Sequence, residues 1–266
     1  MSSYLLDTTL ANLYLHYALD LWVAAWRKKR AHGDMIVVRY ADDAVLGFEH
    51  RKDAEQFLEE LKERLAKFGL ELHPQKTRLI EFGRYAAERR RRRREGKPET
   101  FKFLGFTHIC GATYRTGKFT IHRKTIGKRM AAKLKEIRVQ LRKRMHARVP
   151  GTGKWLQQVV RGYFQYHAVP GNGARMGAFR SEVLRSWLWA LRRRSQRQRM
   201  SWERLKARLA PLLPPVQVLH PYPARASTPN IPTSEVGTVC VSSASTGLCG
   251  GHRVTDVPTA TASIGS

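Results

Sequence analysis

The sequence predicts an α+β fold in which a small antiparallel sheet, backed by helices, is followed by an all-helical part and a disordered tail. Helical and strand patterns alternate until near residue 118, and after a last predicted strand that ends at residue 121 the pattern up to residue 220 is helical alone. In residues 221–266, 24 of the 46 residues are Ser, Thr, Pro or Gly, with no sustained periodicity. We therefore expect domain boundaries at residues 117 and 220.

The charge of the chain indicates a polyanionic partner. The sequence has 49 Lys and Arg against 21 Asp and Glu, a net charge of +28. Residues 221–266 have two Arg, one Glu and one Asp, so the whole excess lies before the tail. Nucleic acid is the simplest partner for such a chain.

Other features of the sequence exclude several classes of protein. A hydrophobic content of 42% excludes a wholly disordered chain. No apolar run is long enough to span a membrane, and no signal peptide is recognisable. The three cysteines are too few and too scattered for a disulfide framework, which favours the cytoplasm. Cys240, Cys249 and His252 lack the paired spacing of a zinc site, so unligated thiols are the favoured interpretation.

The first part of the chain alternates helices and short strands. Residues 10–30 form an apolar stretch that ends in a basic run, as expected for a helix with cations at its C-terminus. Apolar residues from Ala54 to Phe68 recur at helical spacing, and Gly69 follows as a helix stop. Strands are predicted around this second helix, in residues 35–39, 44–48, 70–72, 78–82, 101–106 and 117–121.

Residues 123–148 are predicted to form a basic amphipathic helix. Further helices are predicted at 154–167, 178–199 and 202–212. The aromatic residues of the helix at 154–167 could stack on unpaired bases, but core packing is the favoured interpretation. They are Trp155, Tyr163, Phe164 and Tyr166.

Two adjacent carboxylates, Asp42 and Asp43, stand at the tip of an apolar hairpin, after Tyr40 and Ala41. Paired carboxylates can hold Mg²⁺ while the phosphates of a substrate supply further oxygens, and two such ions can assist phosphoryl transfer. On the residues alone, a simple polar turn is the favoured interpretation of the pair, because Asp favours turns.

Several ordered blocks of the sequence resemble the reverse transcriptase/maturase proteins encoded by bacterial group II introns. Tyr40-Ala-Asp-Asp43 is similar to the YADD motif of reverse transcriptases. The other similar blocks, in chain order, are residues 10–22, 69–77, 101–106, 162–172 and 219–223. The resemblance implies part of a polymerase palm in residues 1–117 and a helical thumb or maturase (X) domain in residues 118–220.

The resemblance also implies roles for individual residues. It makes Asp42 a metal ligand with Asp43 beside it in a two-metal Mg²⁺ site, Tyr40 a neighbour of the primer end, and Lys76 a contact of the nucleotide. It implies RNA-directed DNA synthesis, assistance of intron splicing, and intron RNA and an RNA/DNA primer–template as partners. From the residues alone, Lys76 reads as a solvated charge.

Basic residues on two segments are the predicted RNA contacts. Six consecutive arginines, expected in an exposed loop or a frayed helix, precede the basic helix, and solvated charge is the alternative interpretation of this run. The candidates are Arg89, Arg90, Arg91, Arg92, Arg93, Arg94, Arg123, Lys124, Lys128 and Arg129.

The sequence departs from the family pattern before the YADD block. The family carries a further palm aspartate upstream, and neither Asp7, Asp20 nor Asp34 stands in a matching apolar strand. We therefore expect an N-terminally truncated copy with an incomplete Mg²⁺ site that is inactive alone. The missing N-terminal half, supplied in trans, is a candidate partner. The alternatives are a non-catalytic RNA-binding maturase remnant and a remnant without function.

Overall fold

The computed structural model describes residues 2–113, 116–194, 201–221, 237–242 and 244–246. These residues form a mixed helix and sheet structure with small antiparallel sheets, as the sequence predicts. The helices are α1 (Ser2–Leu15), α2 (Leu21–Lys29), α3 (Arg51–Ala66), α4 (Ala86–Arg92), α5 (Gly127–Lys143), α6 (Val149–His167), α7 (Gly173–Arg194) and α8 (Trp202–Leu209). The strands are β1 (Met35–Tyr40), β2 (Asp43–Phe48), β3 (Leu70–Leu72), β4 (Arg78–Glu81), β5 (Phe101–Phe103), β6 (Phe106–Ala112), β7 (Phe119–Thr125), β8 (Gly237–Ser242) and β9 (Ala244–Thr246).

The strands form three antiparallel sheets. The largest has the order β1-β2-β8-β4, the second pairs β3 with β9, and the third has the order β5-β6-β7. Because β7 pairs with β6 along its whole length, residues 119–125 belong to a sheet. The basic helix α5 therefore begins at Gly127 rather than at residue 123.

Helix α3 packs its apolar face on the first sheet and on the N-terminal helices. Phe57 is fully buried and lies between Trp22, Trp26 and Phe48, with ring centroids 5.0–5.2 Å away. Gly69 follows the helix with a φ of +64°, the left-handed conformation predicted for a helix stop. The predicted helix and its closing glycine are confirmed.

The N-terminal helix is longer and less regular than predicted. It starts at Ser2 instead of residue 10, and a π-helical turn at His16–Asp20 separates α1 from α2. The turn holds Ala18 and Leu19 in the core, next to the guanidinium of Arg64, whose Nε donates to the Ala18 carbonyl at 3.1 Å. Such turns interrupt the regular helical spacing, which is why apolar periodicity did not reveal it.

Helices α5–α8 surround a second core. Trp187 is its largest buried side chain, and Phe164 and Tyr163 pack in or against it. The interpretation of the aromatics as core residues is confirmed for Phe164, whereas Tyr166 is half exposed. No helix in the described part of the chain has the length and apolar character needed to cross a membrane.

Asn172 ties the third sheet to the helical part. Its side chain is fully buried, and its Oδ1 accepts a hydrogen bond of 3.0 Å from the backbone N–H of Thr125. Its Nδ2 donates to Thr125 Oγ1 at 2.7 Å and to the His167 carbonyl at 2.8 Å. One amide thus joins the end of β7, the end of α6 and the start of α7.

Replacing this amide with a carboxylate should destabilise the protein. In Asn172→Asp the two donated bonds are lost and a charge is buried, so we expect the free energy of unfolding to fall by about 3 kcal/mol. Urea denaturation followed by circular dichroism measures the change. Gln165→Glu, an exposed amide-to-acid change on α6, is the matched control and should leave the unfolding midpoint in place.

The prediction of a disordered tail is wrong for two short segments. Residues 237–242 form β8, which pairs with β2 on one side and β4 on the other, and residues 244–246 form β9. Backbone hydrogen bonds need no particular side chains, so a segment of Ser, Thr, Gly and Val joins a sheet when an unpaired edge is close by. Cys249 and His252 lie outside the described residues.

Candidate functional site

The paired aspartates lie at a tight turn between β1 and β2. Tyr40 pairs with Asp43 across the hairpin, which leaves Ala41 and Asp42 as the two turn residues. Ala41 has a φ of +54°, a conformation that costs a non-glycine residue about 1 kcal/mol or more. The turn therefore depends on support from its surroundings.

Arg39 supplies that support. Its Nη1 donates to the Ala41 carbonyl at 2.8 Å, while Nε and Nη2 donate to both carboxylate oxygens of Asp20 at 2.7 and 2.6 Å. Nη1 also donates to Asn12 Oδ1 at 3.2 Å. The two parallel hydrogen bonds between the Arg39 guanidinium and the Asp20 carboxylate fix the hairpin tip against the N-terminal helices. Asp20, considered above as a possible upstream carboxylate, is thus an ion-pair partner of Arg39.

Asp43 faces a cavity of about 690 Å³, and Asp42 stands at the exposed turn beside it. Six elements line the cavity: the start of β2, the turn before β4, the first residue of β4, the strand β5, the turn that follows it, and the start of α5. Its cationic side chains are Lys76, Arg78, Lys102 and Arg129.

The charges in this cavity act on Asp43. Burial is the main cause that raises the pKa of the Asp43 carboxyl, and the neighbouring carboxylate of Asp42 raises it further. Lys76 and Arg129 oppose the rise. The negative charge that the Asp42 and Asp43 carboxylates bring to one place also attracts a divalent cation, while Lys76 and Arg129 favour phosphate oxygens.

The turn between β5 and β6 brings the helical part to the cavity. Tyr166 donates from its hydroxyl to the Leu104 carbonyl at 2.7 Å and stacks on Phe106 with centroids 5.7 Å apart. Gly105 has a φ of +78°, and a Cβ there would lie 2.9 Å from Nη1 of Arg129. The left-handed backbone conformation favours glycine at this position, and a Cβ would also displace the end of the Arg129 side chain. The roles of Gly105 and Tyr166 were missed, because nothing in the local pattern shows that the two segments meet.

The structure separates the other predicted residues into groups. Tyr40 is 66% exposed at the end of β1, next to the paired aspartates. Lys128 and Arg129 lie at the start of α5, whereas Arg123 and Lys124 lie on β7 rather than on the predicted helix. Lys76 and Arg129 are the predicted contacts that share the cavity with Asp43.

The arginine run forms a short helix and carries many ion pairs. Residues 89–92 end α4, and the last two arginines follow it. Local carboxylates therefore neutralise part of the charge predicted for RNA contact, while Arg91 and Arg94 are exposed. The pairs join Arg89 and Arg93 to Glu81, Arg90 to Glu95 and Glu99, Arg92 to Glu88, and Arg93 to Glu95.

The donor set fits a magnesium ion held partly by a substrate. Asp42 and Asp43 supply two adjacent carboxylates, the number that often holds Mg²⁺ when phosphates provide further ligands. No group of three or more His, Cys, Asp or Glu side chains within the described ranges is placed to bind a metal. Asp43 pairs with Tyr40 of β1 on one side and with Ser242 of β8 on the other.

Two histidines near the cavity should make the stability of the protein depend on pH. Burial, assisted by Arg123, lowers the pKa of His108 to about 4, and burial, assisted by Arg129, lowers the pKa of His167 to about 4. The unfolded chain binds these protons near pH 6.5, so the free energy of unfolding should fall as the pH drops from about 6.5 to 4.

Urea denaturation between pH 7.5 and 4.5 tests this dependence. His108→Gln and His167→Gln should each flatten the profile, whereas the exposed His146→Gln is the control and should not. A profile with the same slope in all four proteins would contradict the assignment.

An antiparallel hairpin with paired aspartates beside a cationic cavity is an arrangement suited to binding nucleotide or nucleic-acid phosphates with a metal ion. Residues 8–108 match the family model described as reverse transcriptase (RNA-dependent DNA polymerase). The matched segment contains the hairpin, Lys76 and β5, and it supports the reverse transcriptase family for this part of the chain. No curated protein matches the chain.

Proposed function

We propose that this chain is a group II intron-type reverse transcriptase/maturase fragment that binds intron RNA and an RNA/DNA primer–template. The parent reaction is Mg²⁺-dependent DNA synthesis on an RNA template, together with assistance of intron splicing. The observation that carries the proposal is the cavity in which Asp43 meets Lys76 and Arg129. The order of the sequence blocks, from the hairpin to residues 219–223, points to the group II intron type.

In this proposal each group of residues around the cavity has a separate role in binding a primer end. Asp42 and Asp43 would hold a magnesium ion, which supplies charge stabilisation at a reacting phosphate when bound. Lys76 and Arg129 neutralise phosphate oxygens, and the exposed ring of Tyr40 lies beside the hairpin tip. Arg39 keeps the two carboxylates at the tip in place through Asp20.

The helical part supplies the larger nucleic-acid surface. From residue 127 to residue 212 the sequence has 22 Lys and Arg against three Glu. Because α5 buries Leu134, Ile137 and Leu141, its basic side chains lie on the remaining faces. Phosphate contacts from such a surface position a nucleic acid without reading its sequence. This surface and the arginine run are the proposed contacts with intron RNA.

A second candidate function, RNA binding without polymerase activity, rests on β8. The six residues that pair with β2, Gly237–Ser242, include no carboxylate. This strand therefore adds no carboxylate to the aspartate pair, while the basic surface is unaffected.

Substitutions in the cavity test the proposed primer–template site. Lys76→Gln and Arg129→Gln in the full chain should each weaken the affinity for an RNA/DNA primer–template by about fivefold to tenfold, because each removes a charge-assisted contact of 1–1.5 kcal/mol. Fluorescence anisotropy measures the affinity. Lys62→Gln and Arg51→Gln, exposed cations on α3, are the matched controls. Equal affinities for cavity and control variants would rule out the site.

A further inference from the structure

One strand of the first sheet comes from a distant part of the sequence. The other three, β1, β2 and β4, lie between residues 35 and 81, whereas β8 starts at residue 237. All six residues of β8 pair with β2, and four of them also pair with β4. In this sheet β2 and β4 are joined through β8 alone.

Without β8, the sheet would contain a gap one strand wide. Residues 43–48 of β2 and 78–81 of β4 would each present unpaired N–H and C=O groups along the facing edges. Strand addition to such an edge is held by main-chain hydrogen bonds and tolerates many sequences. The gap is therefore a strand-acceptor site, and residues 237–242 are the segment of this chain that fills it.

The register places the end of β8 directly beside the paired aspartates. Ser242 is the partner of Asp43, and Gly237 is the partner of Phe48 at the far end. Positions directly opposite each other in an antiparallel pair have Cβ atoms about 5 Å apart. Position 242 is thus the place on the neighbouring strand from which a side chain could join the carboxylates in binding a cation.

We propose that residues 237–242 are a self-supplied strand that occupies the position beside Asp43 and limits divalent-cation binding by the paired aspartates. This inference rests on the metal-binding role given to Asp42 and Asp43 in the proposed function. The strand closes the sheet and protects the edge of β2, but its sequence, GTVCVS, brings no carboxylate to the site. The C-terminal segment therefore keeps the sheet intact and the metal site weak.

Adding one carboxylate to this strand tests the proposal. The variant Ser242→Asp in the full chain should bind Mn²⁺ at least tenfold more tightly than the unsubstituted chain, as measured from the electron paramagnetic resonance of free Mn²⁺. Ser242→Asn controls for size, and Thr238→Asp, opposite Gly47, adds the same charge four positions away. Equal Mn²⁺ binding by Ser242→Asp and Thr238→Asp would overturn the proposal.

A cross-strand disulfide tests the placement of the strand independently of metal. Cys240 is the partner of Val45, so Val45→Cys should form a disulfide with Cys240 under mild oxidation, in a chain that also carries Cys110→Ser and Cys249→Ser. Ala44→Cys, one residue out of register, should not. Peptide mapping by mass spectrometry identifies the bond, and its absence in Val45→Cys would overturn the proposal.

The two tests also separate this inference from the proposed function. Neither uses nucleic acid, so a chain that forms the disulfide and gains Mn²⁺ affinity, yet fails to bind a primer–template, would support the strand proposal and contradict the proposed function.

Discussion

Binding of structured RNA to the full chain should weaken by a factor of about a thousand or more when the salt concentration rises from 50 to 200 mM. The physical cause is counterion release, because each phosphate neutralised by Lys or Arg sets free condensed cations. Six to ten such contacts produce a loss of this size. With a net charge of +28 and its excess before residue 221, the chain has enough cations for that number.

The contribution of α5 to this binding can be isolated with a matched pair of variants. Lys128, Lys135 and Lys143 are exposed and lie within about 80° of one another around the helix axis, so they form one face. Their replacement by Gln should reduce the slope of log affinity against log salt by about two to three. The control is the replacement by Gln of Lys52, Lys62 and Lys67, which are exposed in or just after α3. It removes the same amount of positive charge from another part of the surface.

The affinity is measured by filter binding or anisotropy at several salt concentrations. A flat salt response in the unsubstituted chain would contradict binding through phosphates. Equal slopes for the α5 variant and the α3 control would place the contact surface elsewhere. The loss in the α5 variant should be similar for RNAs of unrelated sequence, because phosphate contacts position the RNA and do not specify it.

The purified 266-residue chain alone should not extend a primer on an RNA template, with a rate at least about a thousandfold below that of an active reverse transcriptase. Two-metal phosphoryl transfer needs carboxylates from separate strands to hold both ions and align the attacking oxygen. In the described part of this chain, the residue of β8 paired with Asp43 is Ser242, which is not a carboxylate. Without a second carboxylate-bearing strand, the site would stabilise the charge of the reacting phosphate less and would align the attacking oxygen less well. These two effects together account for the expected thousandfold lower rate.

Incorporation of labelled nucleotide with Mg²⁺ present measures this activity. A failure to extend while primer–template binding persists would support RNA binding without catalysis. Robust extension would contradict the prediction, and Asp42→Asn and Asp43→Asn would then show whether the activity belongs to the paired aspartates. Asp34, which lies at the end of the hairpin away from the turn, provides the control Asp34→Asn.

Much of the local structure could be predicted from the sequence because it depends on nearby residues. The apolar positions of α3 and its closing Gly69 follow helical periodicity, and the structure places them as expected. The hairpin from Met35 to Phe48 follows from two apolar runs around a turn. The basic composition of α5 is also a local property, although its first residue was placed four positions early because β7 continues the basic pattern.

Contacts between distant segments were decided by the tertiary structure alone. In the sequence, Arg39 is indistinguishable from an exposed cation in a strand. In the structure it donates to the Ala41 carbonyl at the hairpin tip and to Asp20, which lies 19 residues earlier. Arg129 is predicted as an RNA contact, but the pairing of β6 with β7 and the hydrogen bond from the Ile126 N–H to the Gly105 carbonyl bring the start of α5 to the cavity that Asp43 lines. Side-chain pairs at such separations leave no periodic signal in the sequence.

The placement of β8 is the clearest case of what the sequence could not determine. Its composition of small and polar residues predicts disorder, and that prediction is sound for an isolated segment. In the folded chain the edges of β2 and β4 offer unpaired backbone groups that any extended segment can satisfy. Sequence thus determined the charge, the helices and the hairpin that carries Asp42 and Asp43, whereas the strand beside them was decided by main-chain hydrogen bonding, which is independent of side-chain identity.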